Sequence, residues 1–136
     1  MLGVGALIFE GDSILLVERA GEPLKGYWSL PGGLLETGEL IEDAVRREMR
    51  EETGLEVDLL YRFDIFERIM RDADGRPEYH FVLVDYVCKV AGGTMRAADD
   101  VSRVEFVPVA KMRDYKMTAG TIEAVERAYA DGRRKT

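Results

Sequence analysis

Apolar and polar positions follow short periodic patterns along the chain, and most of these patterns predict β-strands. Residues 4–9 and 14–17 are apolar runs separated by residues 10–13, an arrangement typical of a β-hairpin. Residues 57–65 place an apolar side chain at every second position, which is the period of a half-buried strand. Residues 79–88 are apolar on both alternating sets, and this predicts a central strand that is buried on both faces.

Two further segments have the periodicity of helices. Residues 40–53 are predicted to form a helix that has Thr37 as its N-cap and ends at Gly54. Apolar spacing of i, i+3, i+7 within residues 122–129 predicts an amphipathic helix near the C-terminus. With a short strand at residues 104–107, the order β-β-loop-α-β-β-β-α predicts an α/β (α+β) fold, a mixed β-sheet sandwiched between helices.

Glycine and proline interrupt these patterns between the first hairpin and the central helix. Residues 20–27 predict a loop, and the sequence Pro31-Gly32-Gly33 predicts a turn. Glycines at such a place let backbone amides and carbonyls approach a phosphate or a metal ion closely. The 136 residues contain no repeat or long linker, so we expect a single domain over residues 1–136.

The central helix carries carboxylates on the face that its pattern predicts to be apolar. At 3.6 residues per turn, the apolar stripe of residues 40–45 continues into Glu48, Glu51 and Glu52. Like charges at this spacing repel each other, and an unpaired carboxylate is costly to bury. A divalent cation such as Mg²⁺ would neutralise them, because it takes oxygen ligands and shares them with phosphate and water. The alternative is an acidic helix end that lies in solvent and pairs with neighbouring arginines.

Residues 33–55 resemble a complete Nudix box. The segment has Gly33, five residues, Glu39, seven residues, and then Arg-Glu-Met-Arg-Glu-Glu-Thr-Gly-Leu over residues 47–55. The order of the flanking elements also resembles the Nudix fold. The resemblance implies a Nudix hydrolase domain, acting on phosphorus-containing acid anhydrides. Such an enzyme cleaves the pyrophosphate linkage of a nucleoside diphosphate that is joined to another moiety.

The same resemblance implies roles for individual residues. The implied catalytic residues are Arg47, Glu48 and Glu51, with Glu48 as the candidate general base and Arg47 orienting a carboxylate. The implied metal ligands are the Gly32 carbonyl, Glu48, Glu51, Glu52 and, from a late loop, Asp100 with Asp99 behind it. Structural roles within the box fall to Gly33, Glu39 and Gly54. The implied cofactor is Mg²⁺, with Mn²⁺ as a substitute.

This chemistry requires no side-chain nucleophile. Phosphoryl transfer depends on positioning and charge stabilisation more than on covalent intermediates. Cys88 lies within a predicted strand and is expected to be a small core residue. His80 is the only histidine, and because it lies on an apolar strand we expect it to be structural.

The substrate depends on residues outside the box, and the sequence leaves more than one class open. An ADP-ribose or nucleotide-sugar substrate is favoured, because residues 79–100 resemble small bacterial enzymes of that type. One alternative is a (deoxy)nucleoside triphosphate pyrophosphohydrolase, including one that acts on oxidised nucleotides. Another is a Nudix-fold sensor that binds nucleotide without hydrolysing it. The predicted substrate-binding residues are Arg19, Trp28, Gly33 and Arg68.

Composition limits the partners. With 26 acidic and 19 basic residues the chain has a formal charge of −7, which disfavours electrostatic binding to nucleic-acid polymers or to an anionic membrane surface. A diphosphate can still be held through metal ions. One cysteine excludes an intrachain disulfide, and without a signal-peptide pattern at the N-terminus we expect a cytoplasmic protein. Members of the resembled family are often dimers, so a homodimer stays open.

Overall fold

The chain folds into a mixed sheet with a helix on each face. The structure is a computed structural model that describes the backbone of residues 1–135 and the side chains of residues 1–132. The strands are β1 (Leu2–Glu10), β2 (Ser13–Arg19), β3 (Trp28–Ser29), β4 (Gly32–Leu34), β5 (Leu55–Arg71), β6 (Pro77–Gly93) and β7 (Val101–Pro108). The helices are α1 (Ile41–Thr53) and α2 (Thr121–Lys135), and a 3-10 turn covers Val109–Asp114. The predicted mixed sheet and both predicted helices are confirmed.

Strand β1 joins the two parts of the sheet. It runs parallel to β6, from Leu2 opposite Val82 to Ile8 opposite Cys88, and it is antiparallel to both β2 and β4. Strand β5 pairs with β6 in a long antiparallel hairpin, while β3 and β7 flank β2. Strand β6 is therefore paired on both sides over residues 82–88, as its apolar run predicts, whereas residues 79–81 pair with β5 alone and residues 79 and 80 are exposed.

The two helices pack on opposite faces of the sheet. Successive residues of a strand point to opposite faces. In β1, Ile8 packs with Val45 and Met49 of α1, whereas Leu7 packs with Val125 of α2. All of these side chains are fully buried, and burying each one contributes about 1.5–3 kcal/mol. This packing fixes α1, and with it the carboxylates at its C-terminal end, against the sheet.

Of the two predicted ends of α1, the C-terminal one is confirmed and the N-terminal one is wrong. The helix ends at Gly54, as predicted, with a left-handed φ of +74° and an N–H that donates to the carbonyl of Arg50. The predicted N-cap, Thr37, is wrong, because Leu40 holds that position in extended backbone without a side-chain hydrogen bond. The chain turns at Gly38, where φ is +87°, and this turn separates Thr37 from the first helical residue.

The glycines that were expected in a turn lie in an extended strand instead. Gly32 and Gly33 belong to β4, where they pair with Gly5 and Val4 of β1. A side chain at position 32 would collide with the carbonyl oxygen of Val4. Glycine is needed here because two backbones approach closely, and not because the chain reverses.

Candidate active site

One arginine connects the carboxylates of α1. The guanidinium of Arg47 donates to Glu48 over 2.9 Å and to Glu51 over 3.1 Å. It also donates two hydrogen bonds to Glu39, of 2.7 and 3.0 Å. Hydrogen bonds between charged groups are stronger than neutral ones. Arg47 therefore holds the orientation of two predicted metal ligands, as the resemblance implies.

The same arginine fastens the segment between β4 and α1 to the helix. Its Nη2 donates to the carbonyl of Leu34 over 3.0 Å, and Glu39 in turn accepts from the backbone N–H of Glu36 over 3.1 Å. The Arg47 guanidinium holds the pKa of the Glu39 carboxyl below its usual range. These contacts are consistent with the bracing role predicted for Glu39.

Glu52 is a buried carboxylate with a single backbone donor. Only 9% of the residue is exposed, and its Oε1 accepts from the N–H of Gly32 over 2.8 Å. Burial raises the pKa of Glu52 to about 8, the Gly32 hydrogen bond opposes this, and the charges of Glu48, Asp100 and Asp99 add to it. Strand β4 and the end of α1 are thus joined through a carboxylate whose ionised form is disfavoured by its buried surroundings.

Glu48 lies directly against the second glycine of β4. Burial raises the pKa of Glu48, although Arg47 opposes the shift. A Cβ atom at Gly33 would overlap all three atoms of the Glu48 carboxylate. Glycine at position 33 therefore provides the space in which this carboxylate lies. Glu51 differs from the other two, because 45% of its side chain is exposed.

The late acidic loop is tied to the end of α1. The N–H of Ala98 donates to the carbonyl of Glu52 over 3.3 Å, and the carbonyl of Asp100 accepts from Ala20 over 2.8 Å. Asp99 adopts a left-handed φ of +55°, which is uncommon for a residue other than glycine. The loop brings both aspartates close enough to raise the pKa of Glu52. Their part as metal ligands stays a prediction.

The donor set and its charge balance suit a divalent cation. The five carboxylates Glu48, Glu51, Glu52, Asp99 and Asp100 lie together, and Arg47 is the cation hydrogen-bonded to two of them. Oxygen donors of this kind are those that Mg²⁺ and Mn²⁺ prefer. Within residues 1–132, however, no three His, Cys, Asp or Glu side chains converge as a ready-made metal cage. Arg47 hydrogen-bonds Glu48 and Glu51, and Gly32 hydrogen-bonds Glu52.

The predicted substrate-binding residues lie in three different surroundings. Arg19 donates from Nε to the carbonyl of Pro23 over 2.9 Å. The next residue, Ala20, donates its N–H to the carbonyl of Asp100 in the late acidic loop. Trp28 is only 5% exposed and packs edge-on against Tyr115. Arg68 lies on the exposed part of the β5–β6 hairpin and donates to the carbonyl of Ala119 over 3.4 Å. Their contacts with a substrate stay predictions.

The two residues expected to be structural lie away from the carboxylates. Cys88 is 1% exposed, and burial raises the pKa of its thiol to about 12, so it is a protonated core residue. His80 contacts Glu67 on the exposed hairpin over 2.9 Å. Sequence reasoning did not single out Asp85, an aspartate inside the apolar run of β6 that is 7% exposed. A charged residue at the centre of a buried strand was the signal that could have found it.

None of the helices in the described part of the chain is both long and apolar enough to cross a membrane.

Comparison with known proteins agrees with this geometry. A family model described as the NUDIX domain matches residues 1–128. The chain is 36% identical over 105 residues to the ADP-ribose pyrophosphatase of Methanocaldococcus jannaschii, covering 77% of this chain and 60% of that protein. It is 34% identical over 103 residues to the nucleoside triphosphatase NudI of Salmonella paratyphi B, covering 71% and 72% respectively. The chain thus spans less than two thirds of the length of the archaeal relative.

Solved structures extend the comparison to the fold. The crystal structure of the MutT NUDIX hydrolase from Burkholderia pseudomallei superimposes with a TM-score of 0.76 at 27% sequence identity. The superposition covers 92% of this chain and 95% of the other. The fold is therefore shared along most of both chains.

Proposed function

The chain belongs to the Nudix hydrolase family, and on that basis we propose that it hydrolyses a diphosphate linkage in a nucleoside diphosphate derivative. ADP-ribose or a nucleotide sugar is the substrate class we favour. The reaction depends on a divalent cation, Mg²⁺ or in its place Mn²⁺, held by the carboxylates at the end of α1.

The observation that carries this proposal is the burial of Glu52 beside Glu48 and the late acidic loop. Grouping buried carboxylates around one arginine costs folding stability. Burial raises the pKa of Glu52 to about 8. The raised pKa has the same cause as the loss of stability, because both follow from the cost of burying the ionised carboxylate. Positive charge supplied by a cation offsets it, and groups whose pKa values are perturbed in this way cluster at functional sites.

The residues around the cluster divide the work of hydrolysis. Glu48, Glu51 and Glu52 would hold a divalent cation, which would offset charge on a diphosphate and lower the pKa of a water molecule. In this proposal Glu48, which lies against Gly33, accepts a proton from the attacking water. Arg47 orients Glu48 and Glu51, and Glu52 is oriented by the N–H of Gly32.

Relatives support two substrate classes to different degrees. The archaeal relative is named an ADP-ribose pyrophosphatase, which agrees with the class favoured from the sequence. The Salmonella relative is named a nucleoside triphosphatase, and this supports a nucleoside triphosphate pyrophosphohydrolase as the second candidate. A non-hydrolytic sensor is disfavoured, since Arg47 and the three carboxylates are all present, with Glu48 and Glu51 hydrogen-bonded to Arg47 and Glu52 to the N–H of Gly32.

A substrate screen with matched metal conditions tests the proposal. The panel contains ADP-ribose, UDP-glucose and normal and oxidised deoxynucleoside triphosphates, each assayed with Mg²⁺, with Mn²⁺ and with EDTA. We expect the highest kcat/KM for ADP-ribose or UDP-glucose and no turnover in EDTA. Preference for triphosphates would transfer the proposal to the second class. Binding of nucleotides without turnover of any compound would contradict hydrolysis and favour the sensor.

A further inference from the structure

A largely buried carboxylate lies on the face of the sheet that α2 covers. Asp85 of β6 is opposite Gly5 of β1 and opposite Asp64 of β5. It points to the same face as Val87, which packs in the α2 core. Asp85 is 7% exposed, and among the side chains of residues 1–132 it has no hydrogen-bond or ion-pair partner. Such a group costs stability, so packing alone does not account for it.

Glycine makes room for this carboxylate next to the active site. A Cβ atom at Gly5 would lie 2.5 Å from Oδ1 of Asp85 and 3.6 Å from the carbonyl oxygen of Pro31. The carboxylate therefore lies over Gly5, whose other neighbour in the sheet is Gly32. Neighbouring strands are about 4.8 Å apart. Asp85 in β6 is therefore roughly 10 Å from β4, the strand whose Gly32 donates to Glu52.

The arginine that α2 contributes to this region, Arg127, pairs with Asp64 and not with Asp85. Arg127 of α2 forms an ion pair with Asp64, and it lies 4.6 Å from the ring centre of Phe63 and 5.6 Å from that of Phe66. Burial and the charge of Asp64 raise the pKa of Asp85 to about 6. Within residues 1–132 no side chain donates to Asp85, and its oxygens are not among the fully enclosed polar atoms, so they are open to water or to a ligand.

An apolar surface with aromatic rings continues from Asp85 along the same face. We call it the aromatic face, and its members are Leu34, Phe66, Tyr79, Phe81 and Leu83. Leu83 lies 2.7 Å and Leu34 lies 3.8 Å from the place of a Cβ atom at Gly3. The rings of Tyr79 and Phe81 stack with centroids 6.3 Å apart and form the far end of this face, because they lie about 20 and 13 Å along β6 from Asp85. Planar ligands gain stacking energy on such a surface.

Two features border the aromatic face and make it suitable for part of a nucleotide. Arg68, a predicted substrate-binding residue, is opposite Phe81 in the β5–β6 hairpin. An open cavity of about 470 Å³ is lined by Phe66, Gly120, Glu123, Ala124 and Arg127. This volume is within the range of small-molecule sites. The face also begins at Leu34, directly after the two glycines of the active site.

We propose that Asp85 recognises the base of the substrate, accepting a hydrogen bond from the amino group of adenine or cytosine while the ring lies on the neighbouring part of the aromatic face, at Leu34, Phe66 and Leu83. This inference rests on the proposed function, because the base must belong to a nucleotide whose diphosphate lies at Glu48 and Glu52. An amino group supplies the donor that Asp85 lacks. A base with a carbonyl oxygen in that position leaves the carboxylate unpaired and brings two acceptors together. Hydrogen bonds to a charged group discriminate by about 10- to 100-fold.

The test compares an amino base with its oxo counterpart. The kcat/KM values of the wild-type protein and of Asp85→Asn are measured with ADP-ribose and with IDP-ribose, in which hypoxanthine replaces adenine. The matched control is Asp58→Asn, because Asp58 is an exposed aspartate of β5 in the same sheet. We expect wild type and Asp58→Asn to prefer ADP-ribose by about 10- to 100-fold. Asp85→Asn should level or reverse this ratio, because an amide can donate to the oxo group.

Binding measurements separate this inference from the proposed function. AMP and IMP are titrated calorimetrically into the same three proteins in EDTA, where no hydrolysis is required. Tighter binding of AMP that depends on Asp85 supports the inference even if neither ADP-ribose nor IDP-ribose is hydrolysed. A wild-type protein without preference for the amino base overturns it, whatever the variants do. An unchanged ratio in Asp85→Asn overturns it as well, and the melting temperature of that variant shows whether it is folded.

Discussion

The backbone N–H of Gly32 donates a 2.8 Å hydrogen bond to Oε1 of Glu52, a residue that lies twenty positions later in the chain. This bond joins strand β4 to the last turn of α1. It also gives a buried carboxylate its one backbone donor, and the pKa of Glu52 is still raised to about 8 by burial. The site is therefore built with more negative charge than its own donors neutralise.

Replacing Gly33 with alanine should impair activity without unfolding the protein. The new Cβ atom would occupy the space of the Glu48 carboxylate, so Glu48 must turn away from the glycine strand. We expect kcat/KM with Mg²⁺ to fall by at least about tenfold, as for other misplaced catalytic groups. Gly92→Ala is the matched control, because its Cβ atom meets only an atom of Glu56 at 4.0 Å. Equal activity of the two variants would contradict the assigned position of Glu48.

Arg47→Lys should lose both stability and activity. Lysine has one ammonium group and cannot donate at once to Glu39, Glu48, Glu51 and the carbonyl of Leu34. We expect the free energy of unfolding in urea to fall by about 1–3 kcal/mol.

The control for this experiment is Arg46→Lys. Arg46 is exposed and pairs with Glu42 and Asp43 on the outer side of α1, where such pairs contribute about 0–1 kcal/mol. A loss of the same size in both variants would show that Arg47 has no special bracing role.

Stability without divalent cations should fall as pH rises. The pKa of Glu52 is about 8 in the folded protein against a reference value of 4.5, so the folded state binds the proton more tightly than the unfolded state. The contribution of Glu52 is most favourable below about pH 4.5 and is lost as pH rises through 8. The upper limit of the loss is about 5 kcal/mol, at about 1.4 kcal/mol per pKa unit.

Urea unfolding in EDTA at several pH values between 5 and 9 measures this effect. The Glu52→Gln variant should show a smaller decrease over the same range, because it has no proton to lose at this position. A wild-type stability that is constant, or that increases toward pH 9, would be inconsistent with a buried, destabilised Glu52.

Added Mg²⁺ should raise the melting temperature of the wild-type protein. A cation that binds only the folded state stabilises it by mass action, and here it also relieves repulsion among Glu48, Glu51 and Glu52. Differential scanning fluorimetry with and without EDTA measures the shift, which should be several degrees at saturation. The shift should be strongly reduced in Glu52→Gln and retained in Glu42→Gln, whose exposed carboxylate lies at the other end of α1.

Local sequence signals predicted the parts of the fold that depend on neighbouring residues. The end of α1 at Gly54 needed only a glycine that can adopt a positive φ, and the continuous apolar run of β6 indicated a central strand. The hydrogen-bond partners of Arg47 all lie within thirteen positions of it, and the spacing of the box already implied several of them.

Long-range pairing explains what the sequence did not reveal. Gly32 and Gly33 are extended because they pair with β1, nearly thirty positions earlier, and this contact overrides their local preference for a turn. The late acidic loop reaches Glu52 through a backbone bond from Ala98, which no spacing rule within the box contains. Asp85 is visible in the sequence as a charge within an apolar run, but whether another strand or helix supplies its partner depends on side chains that are distant in the chain.

The central claim, that a cation held by Glu52 and its neighbours drives diphosphate hydrolysis, is tested most directly by one titration. Hydrolysis of ADP-ribose is measured as Mg²⁺ is raised from zero to saturation for wild type, Glu52→Gln and the control Glu42→Gln. We predict that wild type and Glu42→Gln reach similar kcat values, and that Glu52→Gln stays at least about a hundredfold lower while remaining folded. Wild-type activity of Glu52→Gln at saturating Mg²⁺ would contradict the claim.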